Sequence, residues 1–251
     1  MSAAPAGAVS LPDGFTLQRF DEIDGTNAEA LRAGVPDRYV YLARRQTAGR
    51  GRQGREWISP AGNLFATICI SAPQDRNPAQ LAFVAGLAVL DALSEVTPGG
   101  DFTLKWPNDV LASGRKLSGI LIEAGEEGYA VGIGVNLIAA PPDDAVQFPA
   151  TDLQSVSGPG FVMTAETLLK AICRHFAVWY RRWVADGFEA LRVVWLASAH
   201  GMGDTIAAST ASGHIEGRFQ GLDADGALVL EDSCGDLRTI TAGDVFFPGV
   251  D

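Results

Sequence analysis

Between residues 49 and 57 the chain sets three glycines, three arginines and a tryptophan: Gly49, Arg50, Gly51, Arg52, Gly54, Arg55 and Trp57. Glycine reaches backbone conformations closed to other residues and lets main chain approach a ligand. Arginine presents five fixed donors that match phosphate and carboxylate oxygens. Tryptophan adds a flat face against which a ring can lie. Such a loop suits a small anion that carries a ring system. Two plainer readings compete. The glycines fit the G-x-G-x-x-G spacing of dinucleotide sites, which needs a strand before it and a helix opening within it. A strand-like run, residues 39–42, precedes the motif, but residues 57–63 read as loop and then strand, against that site. The other reading is an ordinary basic surface loop. It sits oddly in a chain with 19 Lys and Arg against 30 Asp and Glu, a formal net charge of −11.

Other stretches carry chemistry of their own. Lys105-Trp106-Pro107-Asn108-Asp109 follows a short alternating run. Proline cannot donate to a strand ladder, so the strand should break there and expose its side chains. Taken alone, Asn108 and Asp109 read first as a turn. The chain holds only three lysines, Lys105, Lys116 and Lys170, and two of them fall in these stretches. A compact ammonium fits between oxygens of two different groups better than a planar guanidinium does. Gly132, Gly134 and Asn136 face one way along a strand. Their missing side chains leave room for a flat ligand, or simply for close packing. Thr26 or Asn27 is a natural N-cap of a short helix. No Ser-His-Asp or Cys-His nucleophile arrangement is present. His175 reads as structural, since no other His or Cys stands at metal-ligand spacing.

Gln46 and the run from Ala48 to Trp57 resemble the biotin-binding loop of the biotin–protein ligases. Lys105 to Asp109 is similar to that family's second signature, and Arg115 to Glu123 to its third. Gly25-Thr26-Asn27 is similar to its Ser-Thr-Asn motif, with Gly25 in place of serine. Pro141 to Pro149 stands where relatives carry a loop that covers the adenylate. The resemblance implies ATP-dependent attachment of biotin to a lysine of a biotin carboxyl carrier protein or domain, through biotinyl-AMP, with Mg²⁺ accompanying ATP. It implies biotin contacts from Thr26, Asn27, Gln46, Gly49, Arg50, Gly51 and Arg52. Lys116, Gly119, Gly132 and Gly134 complete that half of the site. ATP and adenylate contacts would come from Arg52, Arg55, Trp57 and Lys105, with Asn108, Asp109 and Asn136. Lys116, Arg52 and Lys105 are the expected catalytic cations. A lipoate or octanoate ligase of the same fold, a sensor without turnover and a transcriptional repressor are the alternatives. The Arg-rich loop argues against the first, Lys116 and Asp109 against the second, and the acidic charge against the third.

The elements that must position these residues follow from periodicity. Residues 15–20, 39–42, 64–71, 102–105, 110–112, 115–123 and 129–136 read as strands. Asn77-Pro78 opens a long helix with an apolar stripe through Leu81, Val84, Leu87, Ala88 and Leu93. Thr164 caps another, with Leu168, Ile172, Phe176, Trp179 and Trp183 as its core stripe. A further helix covers residues 188–199. From Thr205 the pattern changes to short strands and glycine turns. The expected fold is α+β: a mixed sheet with packed helices resembling the class II aminoacyl-tRNA synthetase and biotin ligase core, plus a small C-terminal SH3-like β-barrel. Expected boundaries are a disordered stretch at 1–13, a catalytic domain at 14–202 and the small domain at 203–251. The first stretch is too short for the winged helix-turn-helix domain that some relatives carry. An acidic surface disfavours nucleic acid and membrane surfaces as partners. Cys69, Cys173 and Cys234 form no disulfide framework, no signal peptide opens the chain, and the apolar run at 81–90 is too short to span a bilayer. A cytoplasmic monomer or homodimer is expected.

Overall fold

The computed structural model describes residues 11–12, 14–210 and 213–247. The expected disordered stretch, 1–13, lies outside the described residues apart from Leu11 and Pro12. The main layer is a seven-stranded sheet of β1 (Thr16–Ile23), β2 (Tyr39–Gln46), β3 (Leu64–Ile70), β4 (Phe102–Lys105), β5 (Asp109–Ala112), β6 (Arg115–Ala124) and β7 (Tyr129–Val135). Their order is β1-β2-β3-β7-β6-β5-β4. The β1–β2 pair is parallel and the other ladders are antiparallel, so the sheet is mixed. A parallel pair needs a crossover, and α1 (Thr26–Arg32) lies in it. The first strand runs to Ile23 and the second to Gln46, each longer than its apolar alternation suggests. β1 is an edge strand with mostly partly exposed residues, and such strands carry a weak hydrophobic signal.

Strand alternation divides the central residues between two faces. Val40, Leu42, Ala66, Ile68, Val131 and Ile133 face the main core. Over that face pack α2 (Leu81–Val96), α4 (Ala165–Asp186) and α5 (Glu189–Ala197). A one-turn 3₁₀ segment, Pro78–Gln80, precedes α2, and the Asn77 side chain accepts the Ala79 N–H at its start. Together Pro78–Val96 is long and apolar enough to cross a membrane, beyond the sequence expectation, but 67% of it is buried within the protein. Thr164 caps α4 through the Thr167 N–H, as its type and place predict. Trp183 is fully buried and donates to Gln80 Oε1 at 2.9 Å. His175 pairs with Glu95 at 2.9 Å across α2 and α4, a structural role.

On the opposite face, Tyr41, Cys69 and Ala130 pack under α1 with Ala30 and Val35. The helix covers only part of that face. The rest, between β3 and β5, is where the cavity lies.

A second sheet contains β8 (Thr205–Thr210), β9 (Gly213–Leu222), β10 (Leu228–Glu231), β11 (Leu237–Ile240) and β12 (Asp244–Phe246), ordered β11-β10-β9-β8-β12 and antiparallel throughout. Ile206, Phe219, Leu222, Leu228 and Leu230 share one continuous core with the helices. The Trp106 indole donates to Gly226 O at 3.0 Å, joining the strand break directly to the small sheet. A short helix that periodicity does not reveal, α3 (Leu153–Ser157), follows the loop after β7, with Asp152 as its cap.

Candidate active site

The arginine-rich segment is folded back on itself rather than loosely draped. Gly51 N–H bonds Arg55 O at 2.7 Å and Trp57 N–H bonds Gly49 O at 2.9 Å, so residues 49–57 form a tight hairpin. Gln53 (φ 56°) and Gly54 (φ 73°) sit in left-handed conformations at its tip. Gly49 is required by proximity: a Cβ there would lie 2.6 Å from both Ser59 Oγ and Trp57 O.

This hairpin, β3, β5–β7 and the 141–150 loop enclose a cavity of about 370 Å³. All the residues expected from the sequence border it except Gly49, which lies behind in the hairpin's own packing. The cavity has two ends of different chemistry.

At one end Gln46 Oε1 accepts the Thr26 N–H at 2.8 Å and the Thr26 hydroxyl at 3.2 Å, while Nε2 donates to Ser59 Oγ. Gln46 thus anchors the first turn of α1, whose Gly25 provides no side-chain cap. Thr67 donates to Asn27 Oδ1 at 2.6 Å. Asn27 Nδ2 reaches Glu123 Oε2 at 2.9 Å, and Glu123 also holds Arg50 at 3.0 Å. The space beside Gly132 is taken by Asn27: an added Cβ would meet its Oδ1 at 2.4 Å. The Trp57 ring fills the space over Gly134 and Gly119, where added Cβ atoms would lie 2.6 and 2.8 Å from it. The expected room over these glycines is therefore used by protein side chains. The physical reason is close approach: an indole and an amide lie flat on the sheet only where no Cβ projects.

At the other end stands a cluster of charge. Asp109 is 8% exposed and lies between two lysines, with Lys116 Nζ at 2.7 Å and Lys105 Nζ at 3.6 Å. Burial pushes the Asp109 carboxyl up, but Lys116 and then Lys105 outweigh it and hold it below its ordinary range. Burial lowers the Lys105 ammonium, an effect its Asp109 partner only partly offsets. Lys105 also sits 4.6 Å from the centre of the Phe148 ring, and Lys116 lies 5.5 Å from that of Trp57, both within cation–π range. The expectation that the Pro107 break exposes its flanking residues is corrected here. Asn108 and Asp109 do face the cavity, yet Lys105 and Asp109 are nearly buried, because the small sheet and the 141–150 loop close over them. Asn108 Nδ2 donates to Ile120 O, and its Oδ1 accepts from Arg52 at 3.3 Å. Asn136 is buried and donates to Thr151 O.

Asp244 of β12 holds Arg55 at 2.8 Å and stands 3.6 Å from Arg52. Arg52 also donates to Gly243 O at 3.1 Å. Burial lowers the Arg52 guanidinium, with Asp244 and Asp109 acting against that shift. Asp244, Glu123, Thr67 and Phe148 escape a sequence reading. Asp244 follows a glycine in a region that reads only as small strands. Glu123 closes a recognised stretch without standing out from it. No group of three or more His, Cys, Asp or Glu side chains able to hold a metal occurs among the described residues.

A cavity with an amide-and-hydroxyl end, a cationic end and an arginine hairpin beside it suits the joining of an acid to a nucleotide. Comparison with known proteins agrees. Residues 21–137 match the biotin/lipoate A/B protein ligase family and residues 203–247 the biotin protein ligase C-terminal domain. The chain is 44% identical over 237 residues to the biotin–[acetyl-CoA-carboxylase] ligase of Paracoccus denitrificans, covering 90% of this chain and 98% of that protein. It is 31% identical over 230 residues to the bifunctional ligase/repressor BirA of Bacillus subtilis, covering 88% and 69% respectively. Among solved structures, the Aquifex aeolicus biotin protein ligase in complex with biotin and ATP superposes with a TM-score of 0.81 at 28% identity, covering 92% of this chain and 97% of that one. The chain belongs to the biotin protein ligase family.

Proposed function

We propose that the protein activates biotin with ATP and transfers it to a lysine of a biotin carboxyl carrier protein or domain. The observation that carries this is the gathering of Arg52, Arg55, Lys105 and Lys116 around one end of a cavity whose other end is lined by Thr26, Asn27 and Gln46. In the first step a carboxylate oxygen of biotin attacks the α-phosphorus of ATP. An acyl–phosphate bond forms and the bond to pyrophosphate breaks. The obstacle is bringing two anions together. Holding them side by side supplies part of the barrier reduction, and positioned cations stabilise the charge that builds at phosphorus.

Lys116 is assigned to bridge the biotin carboxylate and the α-phosphate. Asp109 already orients its ammonium, so the substrate meets a preset cation. Arg52, Arg55 and Lys105 are assigned to the phosphates. Asn108 and Asn136 are assigned to the ribose and adenine region, and Trp57 to the adenine side. At the amide-and-hydroxyl end, Gln46, Thr26 and Asn27 supply paired donors and acceptors suited to the ureido ring. Arg50, tied to Glu123, and the glycines of the hairpin and sheet shape that end. Mg²⁺ enters with ATP as part of the substrate. Both Asp109 oxygens face lysines, so the metal's hard oxygen ligands would be mainly phosphate and water. In the second step the carrier's lysine amine, deprotonated, attacks the acyl carbon and AMP leaves with the bonding pair. No nucleophilic side chain of the enzyme is required.

The test is pyrophosphate exchange into ATP with biotin, lipoate and octanoate in turn. Exchange should depend on biotin, and exchange as good or better with lipoate would overturn the assignment. We further propose a cytoplasmic location, a monomer or homodimer, and no sequence-selective DNA binding, as the net charge of −11 disfavours it. Nanomolar affinity for a defined operator at physiological salt would contradict the last of these.

A further inference from the structure

Asn63 does not border the cavity, and no motif marks it. It precedes a buried strand and reads as a turn residue after Gly62. Its side chain is nonetheless 1% exposed and fully engaged with one segment. Asn63 Oδ1 accepts three successive backbone N–H groups, Leu137 at 2.9 Å, Ile138 at 3.0 Å and Ala139 at 3.3 Å. Its Nδ2 donates to Ala139 O at 2.7 Å. Gly62, at φ 103°, lets Ile138 approach, since a Cβ there would lie 2.2 Å from Ile138 Cδ1.

The segment held this way leaves β7 directly after Asn136 and opens the loop that ends at Ala150. Pro141, Ala145, Val146, Gln147 and Phe148 of that loop border the cavity. Its far end is fixed on β6: Lys116 N–H bonds Pro149 O at 2.8 Å, and Thr151 N–H bonds Lys116 O at 2.9 Å. Arg115 adds bonds to Ala150 O and to Asp143. The loop is thus strung between Asn63 and the backbone of Lys116. Buried amide groups require partners, and one asparagine supplies for residues 137–139 what a strand neighbour would supply elsewhere.

We propose that Asn63 is a positioning residue for adenylation: it sets the wall of the nucleotide half of the site, and the loop's alignment with Lys116, without touching either substrate. The proposal rests on the biotin-ligase reading above. Asn63→Ala leaves three amides unpaired and frees one end of the loop. The KM for ATP in biotin-dependent exchange should rise about 10-fold or more, since small misplacements in such sites carry penalties up to about 10²-fold. The Kd for biotin, measured by calorimetry without ATP, should stay within about threefold of wild type, less than 0.7 kcal/mol. Asn63→Asp retains an oxygen for the three N–H groups but sets its second oxygen against Ala139 O, so it should recover the ATP affinity only in part. Hydrogen exchange at residues 137–149 should quicken in Asn63→Ala and return toward wild type in Asn63→Asp.

An unchanged KM for ATP in folded Asn63→Ala, or a biotin affinity that falls in parallel with it, overturns the proposal. If Asn63→Ala does not fold, Asn63→Ser, with a shorter acceptor, carries the same comparison. Wild-type enzyme without biotin-dependent exchange would refute the functional reading instead, and the hydrogen-exchange comparison would still decide the role of Asn63.

Discussion

Replacing Lys116 by arginine keeps the charge and moves it. In the structure the ammonium is 2.7 Å from Asp109 Oδ1 and lies against the Trp57 ring, in a pocket closed by Gly119 below. A guanidinium is longer and planar, so its charge centre must shift by about 2 Å or the side chain must bend away. At an effective dielectric constant of about 20, a unit charge attracts an opposite one by about 5.5 kcal/mol at about 3 Å and about 3.3 kcal/mol at about 5 Å. The difference, about 2 kcal/mol, corresponds to roughly 30-fold in rate. Loss of a donor aimed at developing charge adds to this, for a total of about 10²-fold or more. The assay is biotin-dependent pyrophosphate exchange at saturating ATP, with biotin affinity and melting temperature measured on the same preparation. Lys116→Arg should lower the exchange rate by that factor and leave the fold intact. A rate within about threefold of wild type, below 1 kcal/mol, would mean that Lys116 does not bridge the reacting groups.

Arg52→Gly should preserve the fold but loosen the hairpin's hold on the nucleotide; the escaped acyl-adenylate would then biotinylate lysines of albumin, and labelling equal to wild type would count against a retaining role. Asp109→Asn should destabilise the protein at neutral pH, because the folded carboxyl is held below its ordinary 3.8; that contribution is present above the unfolded value and lost as pH falls through the folded one, so the melting-temperature gap between variant and wild type should begin to narrow as pH falls below about 4. A gap that widens as pH falls below about 4 would contradict the pairing. Trp183→Ala, removing a fully buried ring and its bond to Gln80, should cost about 3–5 kcal/mol in urea unfolding, and a cost under about 1 kcal/mol would show that α2 and α4 do not depend on it.

The sheet and long helices were legible because their signals are local. Asn77-Pro78, Thr164 and the apolar stripes each report on a few neighbouring residues, and the structure places elements where they point. The site was legible to the extent that charge and glycine cluster within short stretches, as in the hairpin and around Lys105. What stayed hidden depends on residues distant in sequence. Gly132 and Gly134 announce that something comes close, but not whether it is a ligand or the Asn27 and Trp57 side chains. Asp244 has meaning only beside Arg55, and Asn63 only beneath residues 137–139. A turn-like Gly-Asn gives no hint of the latter, since asparagine before a strand is ordinary turn chemistry.

The contact between Arg55 and Asp244 spans 189 positions of sequence. During synthesis at about 5–20 residues per second, the carboxylate emerges roughly 10–40 s after the arginines it pairs with. A nascent chain can therefore lay down the seven-stranded sheet and its helices while the arginine hairpin still lacks its counter-charge and the strand break at Trp106 still lacks its cover. Competence to handle a reactive anhydride arrives late, as a property of the finished polypeptide. A chain cut short before β12 would carry the recognition motifs and yet leave the hairpin unsecured.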